Sequence, residues 1–105
     1  MQYSLIIPIY NEENTLPQLL DDLQSVDQDA QIIIVDDGSI DATDTILKNA
    51  SGIDIMTLEN NQGKGAAIRA GLEKVEKDLV IIMDGDLEVC VDDIHTLLQH
   101  FEENN

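Results

Sequence analysis

Four short apolar runs rich in β-branched residues punctuate the chain: Ser4 to Ile9, Gln31 to Val35, Ile53 to Leu58 and Leu79 to Met83. Each is continuous rather than alternating, the pattern of strands buried on both faces of a parallel sheet. Between the runs the apolar period changes. Leu16, Leu19, Leu20 and Leu23 fall at i, i+3, i+4 and i+7. So do Ile68, Gly71, Leu72 and Val75, and after the last run Ile94, Leu97, Leu98 and Phe101. That spacing predicts one apolar face on each of three helices. A weaker helix is predicted from Asp41 to Ala50, with Ala42, Ile46, Leu47 and Ala50 on one side. Asn14 or Thr15 is placed to cap the first helix, with Pro17 tolerated in its first turn. Ser39 or Asp41 is placed to cap the second, and Asp92 the fourth. The element order is therefore β-α-β-α-β-α-β-α. Right-handed crossovers make this an α/β domain spanning residues 1–105, a parallel sheet with helices on both faces.

Charge narrows the function. The 105 residues include 22 Asp and Glu, five Lys and Arg and two His, a net charge of −17 with His neutral. Hydrophobic residues make up 43%, ordinary for a globular chain, so the acidity does not mean disorder. So acidic a surface argues against binding a nucleic-acid backbone, and against docking on an anionic membrane by charge alone. It suits divalent cations. Cys90 is the single cysteine, which leaves no intrachain disulfide and points to a reducing, cytoplasmic setting. The opening residues lack the basic n-region and apolar length of a signal peptide, and no apolar run approaches the roughly 20 residues of a membrane span.

In open α/β sheets ligands bind beyond the carboxyl ends of the strands, so the residues just after each apolar run carry the candidate chemistry. These are Pro8-Ile9-Tyr10-Asn11-Glu12-Glu13, Asp36-Asp37-Gly38-Ser39, Asn60-Asn61-Gln62-Gly63-Lys64-Gly65 and Asp84-Gly85-Asp86-Leu87-Glu88. Carboxylates cluster along this one rim, and like charges held close call for a compensating cation. Asp84-Gly85-Asp86 projects two carboxylates from a strand end. It reads equally as a Mg²⁺ or Mn²⁺ site or as a turn in which Asp bonds its own backbone. Asp36, directly at its strand end, is free to accept hydrogen bonds from a base or sugar. Gly63-Lys64-Gly65 at a helix start suits an anion, or else the glycines serve tight packing. It is not a Walker loop. Lys64 and Arg69 are two of the five basic residues. Tyr10 packs either on a base or on the core. His95 and His100, five apart on the last helix, read as surface residues, and Cys90 has no base beside it in sequence.

The four rim segments, in this order, resemble the family 2 glycosyltransferases of GT-A fold. Ile6 to Glu13, Ile34 to Ser39 with Asp41 and Thr43, Asn60 to Gly71, and Asp84 to Glu88 carry the likeness, which covers essentially the whole chain. The third segment is most similar to the polyprenyl-phosphate sugar transferases of dolichol-phosphate mannose synthase type. The resemblance implies a Rossmann-like sheet of order 3-2-1-4, and transfer of a sugar from a nucleotide-diphosphate donor with inversion and with Mg²⁺ or Mn²⁺. It implies that Pro8, Tyr10, Asn11 and Glu12 line the base and ribose pocket. Asp36 then bonds the base, Asp37 supports the turn, and Lys64 and Arg69 approach the nucleotide. Asp84, Gly85 and Asp86 meet metal and diphosphate, and Glu88 adds a metal ligand where the polyprenyl type has Gln followed by His-Pro-Pro. This chain continues instead with Val89-Cys90-Val91, so the acceptor side departs from the pattern.

A complete domain of this kind is about twice as long by the usual domain-size range, and its second half supplies the general base and the acceptor site. The expectation is therefore a donor-binding half, with a polyprenyl phosphate as acceptor and the full-length relative at the cytoplasmic face of a membrane. Strand four would then form an exposed apolar edge inviting a second copy. A metal-dependent phosphatase fits less well, since its Asp-x-Asp sits on the first strand and is followed by Gly-Thr. A receiver module fits less well too, lacking the acidic pair after strand one. A non-catalytic nucleotide-binding or purely structural half-domain remains the alternative.

Overall fold

A computed structural model describes residues 2–85 and 91–103. Strands β1 (Tyr3–Ile9), β2 (Gln31–Asp36), β3 (Asp54–Thr57) and β4 (Leu79–Ile82) alternate with helices α1 (Leu16–Leu23), α2 (Thr43–Lys48), α3 (Lys64–Leu72) and α4 (Val91–Glu103). The strands form one parallel sheet in the order β3-β2-β1-β4. This is the predicted order, and every predicted element is present.

Every residue of β1 is buried, as its unbroken apolar run requires. Its side chains divide between two cores. Leu5, Ile7 and Ile9 meet Leu16, Leu19 and Leu23 of α1, Leu47 of α2, and Ile94 and Leu98 of α4. Ile6 turns the other way, with Ile33 and Val35 of β2, onto Ala67 of α3. Helices thus cover both faces. The predicted α3 stripe is rotated. Small residues face the sheet, while Leu72 is 46% exposed. A Cβ at Gly71 would lie 2.9 Å from Ile6 Cγ2 and 3.2 Å from Val35 Cγ2, so α3 sits too close to the strands for a larger stripe.

The caps differ from expectation in a way that matters at the rim. Thr15 is the N-cap of α1, but its hydroxyl donates to Glu12 Oε2 at 2.7 Å rather than accepting from the helix. Ala42 is the N-cap of α2. Asp41 Oδ1 accepts from Thr43 N at 2.9 Å, whereas Ser39 Oγ accepts from Asn11 N at 2.8 Å and serves a different loop.

The opposite end of the sheet is braced by polar groups. His95 is exposed, as expected, but its Nε2 lies 3.0 Å from Asp27 Oδ2, tying α4 to the segment after α1. The buried Tyr3 hydroxyl donates to the same Asp27 Oδ2 at 3.2 Å. β4 has no strand on its outer side among the described residues, and Ile82, Leu97 and Phe101 are 47%, 58% and 41% exposed there. No described helix is long and apolar enough to cross a membrane.

Burial, then the negative charge of Asp27 and its hydrogen bond, push the Tyr3 phenol up from 10.0 to about 12. A group whose folded pKa is raised contributes stability below its unfolded pKa and loses it as pH climbs through the folded value. Urea unfolding should therefore show stability falling between about pH 10 and about pH 12. Tyr3→Phe should flatten that alkaline decline, and an unchanged slope in the variant would contradict the assignment.

Candidate functional site

The carboxyl ends of β1, β2 and β4 and the start of α3 enclose an open cavity of about 420 Å³. Pro8, Ile9, Tyr10, Glu12, Asp37, Asn61, Gly63, Lys64, Asp84 and Gly85 line it. Of the residues singled out in the sequence, Pro8, Tyr10, Glu12, Asp37, Lys64, Asp84 and Gly85 converge here. Tyr10 is 41% exposed, so its ring is available to the cavity rather than spent in the core.

The loops around the cavity are stitched by side chains. Asn11 takes a left-handed backbone conformation at φ 51°, which Asn tolerates better than most residues. Its Oδ1 accepts from Ile40 N at 2.9 Å while its own N–H reaches Ser39 Oγ, so Asn11 joins the first loop to the second instead of lining the cavity. Glu12 N donates to Thr43 Oγ1 at 3.0 Å, and Ala42 N donates to Glu13 Oε2 at 3.1 Å. Asp41 belongs to this clasp. Desolvation works against its carboxylate, but hydrogen bonds from Thr43, Glu13 and its own backbone outweigh that and hold its pKa below the usual 3.8.

Asp36 and Asp37 are both buried, with different partners. Asp37 is held by fixed donors: Gln62 N and Gly63 N, each at 2.9 Å, and Asn61 Nδ2 at 3.0 Å. It thereby fixes the loop that leads into α3. Asp36 Oδ1 accepts from Ser39 N at 3.0 Å, while its Oδ2 is buried with no hydrogen-bond partner among the described residues. An unpaired buried acceptor is costly, so this oxygen marks a place where a donor is wanted.

Lys64 opens α3, and its ammonium forms an ion pair with Asp84 at the end of β4. Gly85 follows where the chain presses on β1: a Cβ there would lie 2.4 Å from Ile9 Cγ2. Arg69 lies one turn into α3. Its guanidinium folds back toward Gly65, where an added Cβ would lie 3.5 Å from Nη1, outside the cavity lining. Asp86 and Glu88, predicted as metal ligands, and Cys90 lie outside the described residues. No cluster of three ligating side chains occurs among the described residues. Asn61 and Gly63 also line the cavity; both stand in the rim segment that the sequence singled out between β3 and α3, and the fold adds their hydrogen bonds to Asp37.

Comparison with known proteins gives the site a context. Residues 4–105 match the family glycosyl transferase family 2. An undecaprenyl-phosphate 4-deoxy-4-formamido-L-arabinose transferase from Proteus mirabilis is 38% identical over 95% of this chain and 33% of its own length. The chain thus spans about a third of the curated relatives it matches. Among solved structures, S. aureus TarS 1-349 in complex with UDP superposes with a TM-score of 0.82 at 27% identity, over 98% of this chain and 32% of that one. Glucosyl-3-phosphoglycerate synthase from Mycobacterium tuberculosis, solved with Mn²⁺, UDP and glucosyl-3-phosphoglycerate, gives 0.66 at 31% identity, over 82% and 34%.

Gly38 holds the second and third loops together. Its φ is +72°, and a Cβ would lie 2.3 Å from Asn60 C and 2.5 Å from Asn61 N, both backbone atoms. Gly38→Ala should therefore destabilise the fold by about 2 kcal/mol or more through backbone strain and overpacking. A urea midpoint indistinguishable from that of the parent protein would contradict this close approach.

Proposed function

Because the chain belongs to glycosyl transferase family 2 and has the GT-A fold, we propose that its rim cavity binds a nucleotide-diphosphate sugar together with Mg²⁺ or Mn²⁺. The observation that carries this reading is the convergence of Asp37, Lys64 and Asp84 with the open, exposed Tyr10 at the carboxyl edge of a parallel sheet. Tyr10, Pro8 and Glu12 take the base and ribose. Asn11 acts by setting the loop that presents them. Asp36 Oδ2 accepts from an N–H of the base, which would relieve its lack of a partner. Lys64 and the N-terminus of α3 face the diphosphate, since Asp37 uses only the N–H groups of Gln62 and Gly63 ahead of the helix. Arg69 adds positive charge one turn further along.

The chemistry of the donors suits a hard divalent cation: Asp84 already holds a cationic partner, and the sequence Asp84-Gly85-Asp86 carries two carboxylates. Asp84 and Asp86, with Glu88, would hold the metal, which supplies neutralisation of charge on the leaving diphosphate. The acceptor we propose is a polyprenyl phosphate, supported by the 38% identity to an undecaprenyl-phosphate transferase. Residues 1–105 act as the donor-binding half, in the cytoplasm, with full-length relatives working at the cytoplasmic face of a membrane. The exposed β4 edge adds self-association by strand pairing, opposed by the net charge of −17.

Calorimetric titration with UDP-, GDP- and dTDP-sugars should show binding that is strong with Mn²⁺ and weak with EDTA. Asp86→Ala should remove the metal dependence while keeping the fold. Equal affinity with Mn²⁺ and EDTA would sink the metal-dependent reading and leave a structural half-domain. Sedimentation equilibrium should show association increasing with salt, because the Debye length falls from about 10 Å at 0.1 M to about 3 Å at 1 M. A strict monomer at both ionic strengths would contradict pairing at β4.

A further inference from the structure

Among the described residues, Asp37 and Asp84 are the two aspartates that line the cavity, and they are neutralised in unlike ways. Asp37 is buried and satisfied by backbone N–H groups and an amide that cannot leave without moving the α3 loop. Asp84 is 44% exposed at its side chain and is met by one ammonium on a flexible stem, that of Lys64, itself 57% exposed. Solvated pairs of this kind bind weakly and exchange readily. Lys64 also stands at an unfavourable place for a cation. It is the first residue of α3, where the helix presents positive partial charge. Its ammonium reaches across the cavity to Asp84. An anion there would reverse the preference.

We propose that Lys64 is an exchangeable counter-ion. It occupies Asp84 while the site is empty and transfers to the diphosphate when metal and nucleotide arrive, freeing Asp84 for the cation. This deepens the donor-binding reading and rests on it. Lys64 and the metal then compete for Asp84 when nucleotide is absent and act together when it is present. The exchange couples the two ligands: each lowers the cost of admitting the other. It also keeps the rim carboxylate neutralised in a chain with 22 acidic and five basic residues.

The predicted signature is a pair of opposite effects from one substitution. Lys64→Met should bind Mn²⁺ alone about three- to fivefold more tightly, as judged by the EPR signal of free Mn²⁺, because a competitor is gone. The same variant should bind UDP or GDP about tenfold or more weakly, because a charge-assisted contact is lost. Removing any lysine from so acidic a protein strengthens cation binding somewhat, so Lys48→Met is the control. Lys48 pairs with Asp44 on α2 at 3.0 Å and changes the net charge equally. Lys64→Arg should restore most of the parent behaviour in both titrations, and circular dichroism should show all variants folded. If the parent chain binds Mn²⁺ and nucleotide but Lys64→Met matches Lys48→Met, or binds Mn²⁺ no more tightly than the parent, the exchange is overturned and the donor-binding reading stands. If the parent chain binds neither ligand, both readings fall together.

Discussion

The Asp37 carboxylate accepts from Gln62 N, Gly63 N and Asn61 Nδ2, and the arrangement of the cavity follows from those bonds. They clamp the end of β2 to the loop that launches α3. That loop passes over Gly38 at a separation no side chain would allow, and it sets the point at which Lys64 emerges. From there the ammonium reaches Asp84 across the rim. Loosening the clamp would leave both the helix start and its lysine without a fixed position relative to β4. A buried carboxylate met by two backbone N–H groups and a side-chain amide is a strong restraint, because removing either side strands the other without water.

Above this clamp the architecture divides its labour. β1 is buried throughout and β2 over its last four residues, and these two central strands hold their residues by packing. The rim is polar and held by hydrogen bonds between loops far apart in sequence. Asn11 with Ser39 and Ile40, and Glu12 and Glu13 with Thr43 and Ala42, join the first two loops. Asp37 joins the second to the third. A rigid base carrying cross-braced loops presents preset groups to a ligand, which lowers the ordering cost of binding.

The architecture was legible because its signals are local. The unbroken apolar run of β1 means burial on both sides, and β1 is buried throughout. The Leu spacing of α1 matches its buried Leu16, Leu19 and Leu23. Where the sequence misled, the deciding contact was distant. Ile68 to Val75 suggested an apolar stripe, but the closeness of Ile6 and Val35 to Gly71 turns small residues inward instead. Leu97 and Phe101 belong to a stripe of which the described fold buries only Ile94 and Leu98. Asp36 and Asp37 are adjacent and chemically identical. Only the loop some 25 positions away separates the one held by fixed donors from the one left with an orphaned oxygen. The same holds for Lys64 and Asp84, twenty residues apart and joined only by the fold.

Nucleotide and metal are proposed to meet at the carboxyl rim of the sheet, beside Asp84 and the start of α3. Paramagnetic broadening of amide NMR signals by Mn²⁺ in the presence of UDP or GDP tests it most directly. The account predicts that Tyr10, Lys64, Asp84 and Gly85 broaden first, while Val26, Gln28 and Ser51 at the opposite end of the sheet stay sharp. Broadening centred on that opposite end, or spread evenly over the acidic surface, would contradict it.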